Sequence, residues 1–104
     1  MPQTVSTDPR LAQRRAALAR AMEVRTAAAR LKRRMRAGRV TLHDAMLDPT
    51  SQVLSVETLL EAMPGVGPMR IGRILRRAQL SPRRRVRELN DHQRARLEQV
   101  ASSS

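Results

Sequence analysis

The sequence has no cysteine, phenylalanine, tyrosine or tryptophan. Without thiols, disulfides and thiolate-held metals are excluded. Without aromatic rings, a core has to be built from Leu, Val, Ile, Met and Ala, and no ring marks an interfacial membrane helix. No apolar run approaches the roughly 18 residues of a membrane-spanning helix. The start of the chain lacks the apolar stretch of a signal peptide, so the expected location is the cytoplasm. Lysine is nearly absent too: of 21 basic residues, all but Lys32 are arginine.

What is abundant is positive charge. The 104 residues carry 21 basic and 9 acidic side chains, a formal net of +12, with an isoelectric point near 12.0. Self-repulsion on that scale opposes compaction and calls for a polyanionic partner. A GC-rich coding bias would favour arginine, but so does phosphate or guanine recognition, which suits the planar guanidinium fork. The placement of charge separates the two. Residues 1–40 hold 11 basic and 2 acidic side chains, residues 41–69 hold none and 4, and residues 70–104 hold 10 and 3. A uniform bias does not leave such a gap. Two basic blocks flank an acidic, apolar centre.

The chain reads as all-α, one small domain, with no strand pattern. Thr7 or Asp8 can cap a helix with Pro9 at its first position. From Leu11 to Ala37 there is neither Gly nor Pro, and Ala and Arg favour helix. Ala17, Ala21, Val24, Ala28, Leu31 and Met35 recur every three or four residues as one narrow apolar stripe, and Gly38 is a stop. Thr41 to Asp44 fits a capping box opening a short helix that Asp48-Pro49 ends. Ser55 starts the next helix, Val56 to Met63. After a turn over Pro64 to Pro68 comes a helix with Met69, Ile71, Ile74 and Leu75 apolar and Arg70, Arg73, Arg76 and Arg77 basic. Ser81-Pro82 is expected to cap a short basic helix from Arg83 to Leu89. Asn90 caps the last helix, ending near Val100. The expected boundaries are a disordered segment at 1–9, a basic helix at 10–38, a helical domain at 39–101 and a frayed tail at 102–104.

The sharpest motif runs from Leu60 to Arg70: helix, glycine hairpin, helix. Glycines permit positive φ and a close approach of backbone to ligand. The second helix begins with unpaired N–H groups and a partial positive charge, so hairpin and helix start form a phosphate cradle. Arg70 and Arg73, one turn in, are placed to reinforce it. Arg83-Arg84-Arg85-Val86-Arg87 sets four guanidinium groups in five residues, which repel one another unless phosphates neutralise them.

The stretch resembles helix–hairpin–helix and helix–two-turn–helix DNA-binding elements. The wider pattern resembles the actinobacterial integration host factor family over about residues 10–100. The resemblance is carried by the basic Ala-rich first helix, Val56 to Gly67, Ser81 to Arg87, and Asp91-His92-Gln93-Arg94. It implies a small nucleoid-associated protein of helix–two-turn–helix type that binds and bends duplex DNA and assists phage-type integrases. It implies that Gly65, Val66 and Gly67 present N–H groups to phosphates and that Arg84, Arg85 and Arg87 form the family's basic cluster. Two positions depart from the pattern: 68 is Pro where the family often has Lys, and 71 is Ile where a small Ala is usual.

The expected DNA-binding set is therefore Gly65, Val66, Gly67, Met69, Arg70, Arg73, Arg83, Arg84, Arg85 and Arg87. Catalysis finds no support. His43 and His92 each sit on a helix without a Ser-His-Asp order or a paired-carboxylate constellation, and no cofactor or metal is expected. The expected partners are double-stranded DNA and a phage-type integrase, in the nucleoid, with the chain a monomer because no long apolar seam exists. Two other readings remain open at this point. One is an RNA- or ribosome-binding basic protein. The other is a protein-interaction accessory to a recombinase, docking through the acidic stretch from Asp44 to Met63.

Overall fold

A computed structural model describes residues 8–103. Most of the segment expected to be disordered, residues 1–7, lies outside the described residues. Asp8 caps and Pro9 opens the first helix, α1 (Pro9–Arg36). The Asp8 carboxylate accepts a hydrogen bond from the Arg10 N–H at 3.0 Å, and Pro9, which has no N–H to satisfy, takes the first position. The helix ends at Gly38, whose φ is +73°. There the Gly38 N–H donates to the Met35 carbonyl and the Arg39 N–H to the Arg34 carbonyl, each at 2.9 Å, the paired bonds of a Schellman stop.

The rest follows as α2 (Leu42–Leu47), a 3-10 turn (Pro49–Val53), α3 (Val56–Glu61), α4 (Pro68–Ala78), a second 3-10 turn (Val86–Glu88) and α5 (Asp91–Ser103). The caps are local. Thr41 Oγ1 accepts from the Asp44 N–H at 3.1 Å, and Ser55 Oγ from the Thr58 N–H at 3.2 Å. At α5, Asn90 Oδ1 accepts from the Gln93 N–H while Gln93 Oε1 accepts from the Asn90 N–H, a reciprocal box. α5 runs through Ser103, past the Val100 expected from sequence. The hydroxyls of Ser102 and Ser103 bond back to the carbonyls of Glu98 and Gln99.

One core joins these pieces. Leu31 and Met35 of α1 meet Ala45 and Met46 of α2, Val56, Leu59 and Leu60 of α3, Ile71, Ile74 and Leu75 of α4, Val86 and Leu89, and Leu97 of α5. Each fully buried Leu, Ile or Met contributes about 1.5–3 kcal/mol. The 3-10 turn over Pro49–Val53, which no periodicity announces, packs between α1 and α2 and buries Ser51, whose hydroxyl donates to the Asp48 carbonyl at 2.9 Å.

The stripe expected along α1 is covered only at its C-terminal end. Ala28, Leu31 and Met35 are buried, whereas Val24 is 50% exposed and Ala17 is fully on the surface. The helix outruns the body it docks on. At 1.5 Å per residue it is about 42 Å long, and the described residues span 68 × 26 × 22 Å.

The segment from Arg83 to Leu89 is not the helix its composition suggests. The Val56 N–H donates to the Arg84 carbonyl at 2.8 Å and the Val86 N–H to the Leu54 carbonyl at 3.0 Å. These bonds hold Arg85 extended in an isolated antiparallel bridge with Ser55. A helix there would forfeit that pairing and lift Val86 out of the core. Met69, placed by sequence on the apolar face of α4, is instead turned to solvent.

Candidate nucleic-acid interface

Two elements carry the expected contact residues. The first is the hairpin between α3 and α4. After Ala62 closes α3, the chain turns through Pro64 and Gly65, where φ is +73°, a conformation open to glycine. Val66 is half-buried against the core and anchors the loop from beneath. Gly67 is the N-cap of α4 but has no side chain to cap with, and Pro68 follows at the first helical position. The first helical bond runs from the Ile71 N–H to the Gly67 carbonyl. The N–H groups of Gly65, Gly67, Met69 and Arg70 find no acceptor among the described residues, while Val66 closes the turn over Pro64 and Gly65. They form a concentrated donor surface at the positive end of a helix dipole.

The second element is the extended segment at 83–87. Val86 is fully buried, and Arg83, Arg84, Arg85 and Arg87 are all exposed around it. Arg85 is the most constrained of the four. Its guanidinium donates to the Val53 carbonyl, and its N–H donates to the Glu88 carboxylate at 2.8 Å.

Hairpin and segment are neighbours. Val66 and Pro68 on one side and Pro82 on the other line one open groove of about 620 Å³, with Ile71, Leu75 and Leu80 on its floor. Glu57 and Glu61, one turn apart on α3, also line it. These carboxylates disfavour phosphate within the groove itself, where Arg76 is the one basic lining residue.

Arg70 and Arg73 separate. Arg70 is half-buried and donates through Nη2 to the Ala101 carbonyl at 3.5 Å, near the C-terminal end of α5. Its Nε is buried without a partner. Arg73 is exposed. Arg94, from the resembling stretch, is likewise structural, donating to the Val86 carbonyl at 3.5 Å.

A further cluster was not singled out from sequence. Arg30, Arg33, Arg34 and Arg39 converge on one shallow depression of about 410 Å³ where α1 ends. Their three- and four-residue spacing on a helix was the available signal; the contribution of Arg39 after the Gly38 turn was not.

Among the described residues the one ion pair is His43 Nδ1 to Glu98 Oε1, at 2.5 Å. It joins the start of α2 to α5. No arginine is thus neutralised by a carboxylate there. No three His, Asp or Glu side chains among the described residues are grouped to hold a metal, and no helix is long and apolar enough to cross a membrane.

Residues 31–100 match the family model described as an S13-like H2TH domain. The chain is 40% identical over 89 residues to the integration host factor of Mycolicibacterium smegmatis, covering 82% of this chain and 85% of that protein. It is 38% identical over 96 residues to the integration host factor of Mycobacterium tuberculosis, covering 88% and 91%. The Streptomyces coelicolor integration host factor is 35% identical over 96 residues, covering 88% and 90%. Among solved structures, that of sIHF bound to an 8-bp palindromic DNA superposes with a TM-score of 0.71 at 33% identity, covering 77% of this chain and 94% of that one.

Proposed function

Since the chain belongs to the actinobacterial integration host factor family, we propose that it is a nucleoid-associated protein that binds duplex DNA through backbone phosphates, largely without regard to sequence. The observation that carries this reading is the pair of features on either side of one groove: unpartnered hairpin N–H groups beside Val66 and Pro68, and Pro82, which leads directly into the exposed, un-neutralised Arg83, Arg84 and Arg87. Main-chain donors at a helix start suit phosphate oxygens, and guanidinium groups suit the next phosphates along a strand. The solved sIHF structure, which contains DNA, supports the same partner.

In this reading DNA is bent or compacted by the contact, and a bent duplex is what a phage-type recombinase needs to bring distant sites together. The protein carries out no chemistry; it shapes the substrate of another enzyme and works in the nucleoid.

The test is fluorescence anisotropy with a ~25-bp DNA duplex and its RNA counterpart at several salt concentrations. Arg73, Arg83, Arg84 and Arg87 engaging four phosphates give a log–log salt slope of about −3 to −4. DNA binding that exceeds RNA binding, with a slope of that size, is the expected result. Preference for the RNA helix would replace this reading with a ribosomal one.

A further inference from the structure

Met69 is the most exposed large hydrophobic side chain among the described residues, 83% open to solvent. The backbone around it leaves little freedom in where it stands. Pro68 fixes the residue before it, and Ile71, two residues on, is locked in the core. On α4, residues 69, 73 and 76 lie four and seven apart and so share one face. Arg73 and Arg76 are both exposed. The Arg76 guanidinium lies over Gly72, with Nη1 3.4 Å from where a Cβ on that glycine would stand. Pro68 beside Met69 is exposed as well. The result is an apolar tip, Pro68 and Met69, on the helix face that also carries Arg73 and Arg76 and next to the free hairpin N–H groups.

A surface meant to grip phosphate alone gains nothing from a solvent-facing thioether. An apolar side chain projecting from among cations is the arrangement by which proteins part stacked bases: the cations hold the flanking phosphates while the wedge enters between base pairs. Methionine is unbranched, long and polarisable, so it can reach and adapt to the gap. We propose that Met69 is such a wedge, entering the minor groove and partly unstacking one base step, and that this insertion kinks the duplex. The inference rests on the duplex-binding reading above and adds the residue that converts binding into bending. It also assigns a source of sequence preference. Pyrimidine–purine steps unstack most easily, so TA and CA steps are favoured without any hydrogen bond to a base edge.

Two readouts test it alongside the anisotropy. One is a set of ~12-bp duplexes with 2-aminopurine at successive positions around a central TA step, where unstacking raises emission. The other is energy transfer between the ends of a ~30-bp duplex. The wild-type chain is expected to raise emission at the TA step and to shorten the end-to-end distance. Met69→Ala is expected to lose both signals while keeping its salt slope, with affinity falling at most about tenfold. Met69→Leu restores both, and replacing TA by GC weakens both. Wild-type signals from Met69→Ala overturn the wedge, as does wild-type binding that leaves both signals at the level of free DNA; duplex binding then stands without it. Absence of wild-type binding to any duplex, read by anisotropy, removes the duplex reading and the wedge together.

Discussion

Ser55 and Arg85 face one another across an isolated antiparallel bridge, and that pairing decides how the basic segment is presented. On a helix, Arg83, Arg84 and Arg87 would share one side. Held extended, with Val86 driven into the core and Arg85 reaching back to the Val53 carbonyl, the segment leaves Arg83, Arg84 and Arg87 spread along an exposed strand-like stretch instead.

On the proposed reading, spread-out guanidinium groups meet successive phosphates. Replacing Arg84 or Arg87 by Ala is expected to reduce the magnitude of the salt slope by about one each and to weaken binding to all duplexes alike. Melting temperature, followed by circular dichroism because the chain has no aromatic chromophore, should not change. A slope equal to that of wild type in both variants would place the phosphates elsewhere.

The two hairpin glycines are expected to differ in kind. Gly65 has φ +73°, so Gly65→Ala strains the backbone although open space surrounds the added carbon. The cost is about 1 kcal/mol, or about 4 °C in melting temperature. Gly67 sits at φ −90°, ψ 174°, which any residue adopts, also with nothing near its Cβ. Gly67→Ala should melt like wild type yet bind DNA less well, because a methyl group then stands where a phosphate approaches the N–H groups. Equal DNA affinity for Gly67→Ala and wild type would exclude a close approach at that position.

Arg70 and Arg73 offer a second division of labour. Arg70→Ala removes a donor from the Ala101 carbonyl and packing from the α4–α5 contact, so it should lower stability by about 1 kcal/mol. Arg73→Ala, which touches no protein acceptor, should leave stability unaltered and reduce the magnitude of the salt slope by about one. Thermal melts and anisotropy on the same preparations distinguish the two. The reverse pattern would mean that the guanidinium groups exchange roles on DNA.

α4 ends on Gln79 at φ 59°, ψ 43°, a left-handed cap without the usual glycine. Gln79→Gly should relieve that cost and raise stability by about 0.5–1 kcal/mol net of glycine's greater unfolded-state entropy. A lower melting temperature would show that the glutamine side chain contributes contacts exceeding the strain.

The sequence shows most plainly what is settled within four residues. Asp8-Pro9, Gly38, Thr41, Ser55 and Asn90 each act on an N–H or a backbone angle next door, and each bounds an element where its chemistry says it should. The glycine hairpin is legible for the same reason. What fails is anything that depends on a distant partner. The Arg83–Leu89 stretch has a helix-start signal at Ser81-Pro82, but its backbone bonds go to residues nearly thirty positions earlier, and non-local pairing overrides local preference. Periodicity along α1 marks an apolar side without telling how much body exists to cover it. Nor does the sequence reveal that the hairpin and Pro82, at the head of the basic segment, border one groove, or that Arg70 turns inward while Arg73 does not.

The long first helix has one more consequence. Only its last third is seated, so the stretch bearing Arg10, Arg14, Arg15, Arg20 and Arg25 is a cantilever kept helical by its own ladder of bonds, against mutual repulsion that Glu23 hardly offsets. Added salt screens that repulsion and firms the cantilever, while the same salt loosens the grip on phosphate. The two ends of the molecule thus answer ionic strength with opposite sign, and amide exchange along α1 should slow under the conditions in which DNA is released.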